Sequence, residues 1–444
     1  MSEKLSRYRE ISMKYGDPWI WGIYLTLIVF SIVESYSASS RDVAKMGVYE
    51  PIIRQVVFLA MGAVCVIGLS RINYNNRMLL LVLIPLLWIV SVVSLVYVMF
   101  FGEIINNAQR AFTIPGVGIT VQPAELAKLS AVTALAYIMA RNQQDRDVSV
   151  KGLVYSTVVV AVFGGLMFQS GLTNTLLLMC ISGSMFLIGG ARIKKLIILA
   201  LIYCAVAGCF YMWKSRQDNI EQLAKVENTT TTEDTSNDDG KKVKSRDKMR
   251  KNRVMDWWKH RNTLIKEQVT SENSQEMFSR MAQAHGGVTG VGVGNSRECS
   301  RLPLAFSDYI FSIIVEETGV IGGIFLLILY LWLLSRAAMI ARRCHRVLPA
   351  LLIIGMAAMI TFQALFHIAI NTGVFPVSGQ PLPLISKGGT SILVTSVAFG
   401  VMLSVSRTIS NITNKKNKDE GIALPSGLDA ENPTEIPIKN EWTK

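Results

Sequence analysis

Three stretches of this 444-residue chain carry side chains whose types and spacing could do chemistry. The first, NAQRAFTIPGVGITVQPAELAKL from Asn107 to Leu129, holds Arg110 and then Gln122, Glu125 and Lys128 at three-residue intervals, on one face of a helix. That helix enters an apolar run, where an unpaired ion costs roughly 3 kcal/mol. Glu125 and Lys128 therefore read either as a structural ion pair or as part of a site. The second stretch is GGVTGVGVGNS, 286–296, followed by SRLPLAFSDYIFSIIVEETG, 300–319. Its glycines offer a tight backbone that approaches a ligand, or a flexible turn, and the turn is the simpler reading. No strand precedes them, which excludes a dinucleotide-binding fold. Asp308 stands at the mouth of the next apolar run, as a helix N-cap or as a carboxylate able to take a proton. Glu316 and Glu317 lie two turns deeper, as pocket lining or in structural pairs. The third stretch, NTGVFPVSGQPLPLISKGGTS from Asn371 to Ser391, is too rich in Pro and Gly for a helix and suits a re-entrant, cavity-lining loop. Within it, Lys387 is either a cation for a bound anion or a lysine snorkelling to the interface.

Such residues need helices to hold them. Half of the chain is hydrophobic and 17% is charged. Apolar runs near the roughly 20 residues that cross a bilayer recur at 19–36, 55–70, 78–101, 122–140, 152–168, 172–189, 196–213, 308–334, 349–371 and 391–405. The expected fold is an all-α integral membrane protein of about ten transmembrane helices, with a large extracytoplasmic loop between the seventh and eighth. The expected division is an N-terminal segment (1–18), seven helices (19–213), the loop (214–306), three helices (307–409) and a polar tail (410–444).

The formal charge of +13 does not make the chain a nucleic-acid binder, because Lys and Arg flank the apolar runs. They concentrate in connectors that share a side with the N-terminus, which predicts both termini in the cytoplasm. A long loop translocates largely regardless of its charge, so the basic 214–306 segment is compatible with that orientation. Its middle, 227–251, has almost no apolar residues and is expected to be mobile, near anionic lipid or a charged polymer. VMDWWKHRNTLI and 275–284 have helical spacing suited to the membrane surface. The six cysteines show neither metal-ligand spacing nor a disulfide framework. The first apolar run has no cleavage site after it and reads as a retained anchor. SRDK at 245–248 matches the spacing of penicillin-binding active sites by chance, since no Lys-Thr-Gly follows.

The three stretches, in this order between the helices, resemble those of the SEDS family of cell-wall polymerases, which includes FtsW, RodA and SpoVE. QPAELAKL is similar to the family's Gln-Pro-Ser-Glu-Leu-Ala-Lys, the glycine run to its Gly-Gly-x-x-Gly-x-Gly-x-Gly-x-Ser, and LPLISKGGTS to its Leu-Pro-x-x-Ser-Tyr-Gly-Gly-Ser-Ser. The resemblance implies polymerisation of lipid II, an undecaprenyl-pyrophosphate disaccharide-pentapeptide, at the outer face of the bacterial cytoplasmic membrane. It puts the catalytic aspartate on Asp308, and substrate-binding positions on Arg110, Gln122, Glu125, Lys128, Ser386 and Lys387. Joining a glycosyl pyrophosphate to a sugar hydroxyl needs a base for the proton and positive charge for the leaving group. Asp308 is expected to supply the first, and Arg110, Lys128 and Lys387 the second, with a divalent cation (Mg or Mn) as a further candidate.

Several positions depart from the family pattern: Ala111 for Trp, Gly171 for Asp within QSGLTNT, Lys387 for Tyr and Thr390 for Ser. PLPLIS, the long basic loop and the polar tail lean towards the division members rather than elongation members of the RodA kind. The resemblance then implies septal synthesis, with an FtsI-like class B penicillin-binding protein as transpeptidase partner, besides other division proteins and membrane lipid. A flippase for a lipid-linked precursor is a second reading. It would need charge through both leaflets, whereas the motif residues gather at outer helix ends and no inverted repeat is evident. A scaffold that only recruits a transpeptidase is a third, and the retention of Asp308 speaks against it.

Overall fold

In a polytopic chain, each helix is defined by the neighbours it must meet and the faces it leaves to lipid. The computed structural model describes residues 11–38, 50–74, 82–105, 108–113, 120–144, 147–198, 255, 257, 273–302 and 305–419. Its helices are α1 (Pro18–Ala38), α2 (Glu50–Arg71), α3 (Ile84–Phe101), α4 (Pro123–Arg141), α5 (Val150–Ser170), α6 (Leu172–Ile188), α7 (Ser274–Gly286), α8 (Ile310–Ala341), α9 (Val347–Asn371) and α10 (Gly389–Asp419). Of these, α1, α2, α3, α5, α8, α9 and α10 are long and apolar enough to cross a membrane, and α6 is a shorter apolar helix. The chain is an all-α membrane protein. Its strands are confined to connectors, as β1 (Glu103–Ile105), β2 (Ala108–Thr113) and β3 (Thr120–Val121) in one antiparallel sheet and the hairpin β4 (Gln143–Gln144) and β5 (Asp147–Val148). Of the expected run at 196–213 only 196–198 is described, and 227–251 and the tail beyond 419 also lie outside the described residues.

The helices differ sharply in how much protein surrounds them. The spanning window of α9 is 83% buried and that of α3 only 17%, so α9 runs through the centre and α3 faces lipid. α4 falls short of the apolar helices because it is enclosed rather than lipid-facing. Glu125, Lys128, Ser130 and Thr133 are buried along it, and Ala124, Ala127, Ala131 and Ala134 let neighbouring helices close in. The eighth apolar run was expected at 308–334, but the helix starts at Ile310 and continues to Ala341. It carries Arg336 past the expected end because Asp17 receives that guanidinium at 3.1 and 2.6 Å. The same carboxylate accepts the Trp19 amide at 3.0 Å and so caps α1.

α8 is broken within its length. Gly319 has φ 74° and ψ −178°, and the freed backbone groups pair with the glycine run that follows α7. Val291 and Gly292 donate their amides to the carbonyls of Glu316 and Glu317 at 3.0 and 2.9 Å, and Val320 donates to Gly287 O at 3.0 Å. The glycine run is therefore neither a flexible turn nor a ligand cradle. It is a strap that satisfies a broken helix where water is scarce. Space explains the residue type, since a Cβ on Gly290 would lie 2.1 Å from Glu317 O, and one on Gly319 would lie 2.1 Å from Val288 O. Side chains complete the strap: Glu316 accepts from His285 Nδ1 at 2.8 Å, from Ser296 Oγ and from the Arg297 amide, and Glu317 accepts from Ser37 Oγ. Both glutamates are in structural pairs.

Gly290→Ala and Gly319→Ala should each destabilise the detergent-solubilised protein by roughly 2–4 kcal/mol, from overpacking added to left-handed strain. Gly68→Ala, in α2 with nothing within 4 Å of the added atom, should not. Thermal unfolding of the three variants checks this, and equal melting temperatures would contradict it.

Candidate functional site

The site is arranged by one polar face of the central helix. Gln363, His367 and Asn371 recur at every fourth position of α9 and stack on a single face. All three are buried, so each polar group must find a protein partner. Gln363 Nε2 donates to Pro381 O at 3.2 Å, His367 Nδ1 lies 2.6 Å from Gln380 O, and Asn371 Nδ2 donates to Asp308 O at 3.0 Å. A carbonyl can only accept, so Nδ1 of His367 carries its proton. Asn371 Oδ1 also accepts the Ser312 hydroxyl at 2.9 Å, which ties the first turn of α8 to α9. One helix face thus holds both the loop of the third stretch and the segment bearing Asp308.

The two held segments also bind each other. Ser386 Oγ donates to Ser307 O at 2.8 Å and accepts the Leu382 amide at 2.7 Å, and the Lys387 amide donates to Phe306 O at 3.0 Å. The Lys387 ammonium lies 4.4 Å from the centre of the Phe306 ring, a cation–π contact. Leu384 between them has φ 64°, a left-handed conformation that costs about 1–2 kcal/mol in a residue with a Cβ. Its full burial and the Tyr330 hydroxyl on Pro383 O, at 2.7 Å, hold it there. Asp308 is half-buried, and its Oδ1 accepts from Ser307 Oγ at 2.9 Å. It is not a helix cap: the N-cap of α8 is Tyr309, which makes no side-chain cap bond.

The first stretch joins by two routes. Thr390 Oγ1 accepts the Gln122 amide at 3.3 Å and donates to Thr120 O at 2.9 Å, which stitches β3 and the start of α4 to the start of α10. Deeper, Lys128 Nζ lies 2.7 Å from Glu125 Oε1 and 2.7 Å from Gln363 Oε1, fully buried. Together the segments surround a cavity of about 190 Å³ lined by Arg54, Gln55, Gln122, Phe306, Lys387 and Thr390, among others. Glu125 and Lys128 do not line it. They bear on it through Gln363, which passes their position to the Pro381 carbonyl. Arg110 occupies β2, and its side chain lies outside the described residues. Gly171 links α5 to α6, and Asn174 one turn later accepts Gln380 Nε2 at 2.7 Å, so the QSGLTNT segment is also tied to the third stretch. Among the described residues no group of three or more His, Cys, Asp or Glu could hold a metal ion. The charged residues lining the cavity, Arg54 and Lys387, suit an anion.

Sequence reasoning passed over Arg54 and the α9 face. Arg54 stands just before the 55–70 apolar run, and a lone arginine opening such a run is itself a signal. The four-residue recurrence of Gln363, His367 and Asn371 within an apolar run was the other. The enclosed ion pair makes a direct prediction. Lys128→Met should cost about 3–5 kcal/mol by leaving Glu125 buried and unpaired, and adding Glu125→Gln should recover most of it. Melting temperatures of the single and double variants decide; additive losses would show that the two do not act as a pair.

The cell cycle protein family FtsW/RodA/SpoVE matches residues 18–411 of the chain. A probable peptidoglycan glycosyltransferase FtsW from Bacillus subtilis (strain 168) is 25% identical, over 96% of this chain and 97% of the relative. A protein of the same description from Xanthomonas oryzae pv. oryzae is 29% identical, over 97% of this chain and 81% of the relative. Stage V sporulation protein E of Bacillus subtilis is 27% identical over 87% of this chain and 95% of the relative. Two solved structures share the fold. One is a chain of a peptidoglycan synthase complex that coordinates polymerization and crosslinking, with TM-score 0.64 and 23% identity over 89% of this chain and 99% of that one. The other is the rod shape determining protein RodA of Thermus thermophilus, with TM-score 0.57 and 22% identity over 89% and 97%. With a match that runs from the start of α1 into α10, this chain belongs to the FtsW/RodA/SpoVE family of SEDS proteins.

Proposed function

We propose that this multi-pass membrane protein is a peptidoglycan glycosyltransferase that polymerises lipid II at the outer face of the cytoplasmic membrane, in the septal synthesis of a dividing cell. The relatives named above as peptidoglycan glycosyltransferases FtsW support the activity. The observation that carries the site assignment is the binding of the Phe306–Asp308 segment to Ser386–Lys387. It ties the segment that carries Asp308 to Lys387, a cation that lines the polar cavity.

The chemistry follows from that pairing. The acceptor hydroxyl gives its proton to the Asp308 carboxylate as its oxygen bonds to the donor's anomeric carbon. The bond from that carbon to the pyrophosphate oxygen breaks, and undecaprenyl pyrophosphate leaves with the electron pair. Lys387 and Arg54 stabilise the charge that develops on it, in surroundings where a fixed cation acts more strongly than in water. Gln122 and the Thr390 hydroxyl hold the cavity wall, and the family resemblance assigns Arg110, in β2, to the same anion. Glu125 and Lys128 act as positioning residues beneath.

The chain carries no transpeptidase motif, and an FtsI-like class B penicillin-binding protein is its proposed partner. The similarity to a chain of a complex that couples polymerization to crosslinking supports that pairing. Both termini are proposed to be cytoplasmic, from the distribution of Lys and Arg.

Purified with a class B partner and given lipid II, the wild type should yield glycan polymer on a gel. Asp308→Asn should fall by roughly 10²–10⁴-fold at an unchanged melting temperature, and Lys387→Ala by about 10–100-fold. Wild-type polymer from a folded Asp308→Asn protein would remove Asp308 from the reaction.

A further inference from the structure

The larger cavity of this protein is at the opposite end of the bundle. It measures about 440 Å³ and is lined by Tyr74, Arg343, His345, Arg346, Arg407 and Asn411, among others. Three arginines and a histidine contribute, and among the described residues no carboxylate lines it. Such a concentration of one sign needs an anion or wide exposure to water to be tolerated.

Arg407 is fixed in place. Its Nη2 donates to Arg71 O at 2.5 Å, at the C-terminal end of α2, where the helix dipole favours a cation. One turn earlier, Ser404 Oγ donates to Ile72 O, so the connector after α2 is fastened to α10. With the guanidinium held from one side, its Nε is shut off from solvent and has no protein partner. A buried donor without an acceptor costs about 1–3 kcal/mol, which a bound oxyanion would offset. The start of α9 borders the same space: its N-cap is Arg346, and Pro349 of its first turn lines the cavity.

The level in the membrane indicates the source of the anion. Thr390 lines the outer cavity and Arg407 the inner one on the same helix, about 25 Å apart at 1.5 Å per residue. That is close to the hydrocarbon thickness of a bilayer, about 30 Å, so the inner cavity lies at the headgroup level of the other leaflet. Exposed Ile412 lines it and suits an acyl chain.

We infer that this pocket binds the phosphate headgroup of an anionic phospholipid from the leaflet opposite the outer cavity, gripped by Arg407, Arg343 and Arg346. The site is independent of the glycosyl-transfer reading. The full-length protein in detergent is titrated with phosphatidylglycerol and with phosphatidylcholine of the same acyl chains, and bound lipid is read by native mass spectrometry. Phosphatidylglycerol should be retained preferentially. Retention should weaken on the order of tenfold in Arg407→Gln and in Arg343→Gln/Arg346→Gln. The second variant changes only exposed side chains and keeps the test meaningful if the first disturbs folding. Inorganic phosphate binding without lipid preference would reject the lipid as source while keeping the anion site. Equal retention of the two lipids with no phosphate binding, or wild-type retention by Arg343→Gln/Arg346→Gln, overturns the inference.

Discussion

Inside a bilayer a backbone amide or carbonyl has no water to fall back on, and every departure from regular helix must be satisfied by protein. This chain departs from helix at two places that matter, the break in α8 at Gly319 and the loop between α9 and α10. The first is met by another backbone, the glycine strap, and the second by side chains, the polar face of α9. A backbone solution demands glycine, because two main chains can approach this closely only where no Cβ intervenes. A side-chain solution demands amides and imidazole at helical spacing, because each must reach a particular carbonyl.

The α9 face gives the site its rigidity. Asp308 lies in a turn before α8, and Ser386 and Lys387 lie in a loop; neither setting fixes a side chain by itself. Asn371 takes hold of the Asp308 carbonyl, and Gln363 and His367 take hold of the loop carbonyls at Pro381 and Gln380. The two segments then close on each other through Ser386 and the Lys387 amide. Gln363 is in turn fixed by Lys128, whose other partner is Glu125. A charge pair that touches no cavity wall can therefore govern the geometry of a rim residue. The order of dependence runs from the buried pair on α4, through one amide on α9, to the loop.

Much of the helix framework was legible because bilayer thickness imposes a length on apolar runs that a sequence displays directly. The candidate residues stood out for another reason: Asp308, Ser386 and Lys387 sit in motifs where Pro, Gly and charge interrupt those runs. The roles were harder to read. Glu125 and Lys128 looked equally like a site and like a pair, since three-residue spacing is common to both, and only the position of Gln363 on a distant helix separates them. The glycine run read as a turn because its partner, the break at Gly319, is itself disguised as one more glycine in an apolar helix. Arg54 was hidden among connector charges for want of any local sign that α2 and α10 come together around it.

Lys387 illustrates how such a rim handles its charge. An aromatic face attracts an ammonium through its quadrupole and adds no charge of its own. Phe306 provides that face at 4.4 Å. Because the Lys387 amide is bound to the Phe306 carbonyl, ring and cation move as one unit. Their backbone pairing also fixes the Lys387 segment against the segment that carries Asp308. A reaction that needs a base and an electrostatic partner on opposite sides of one bond depends on such relative placement more than on either residue alone.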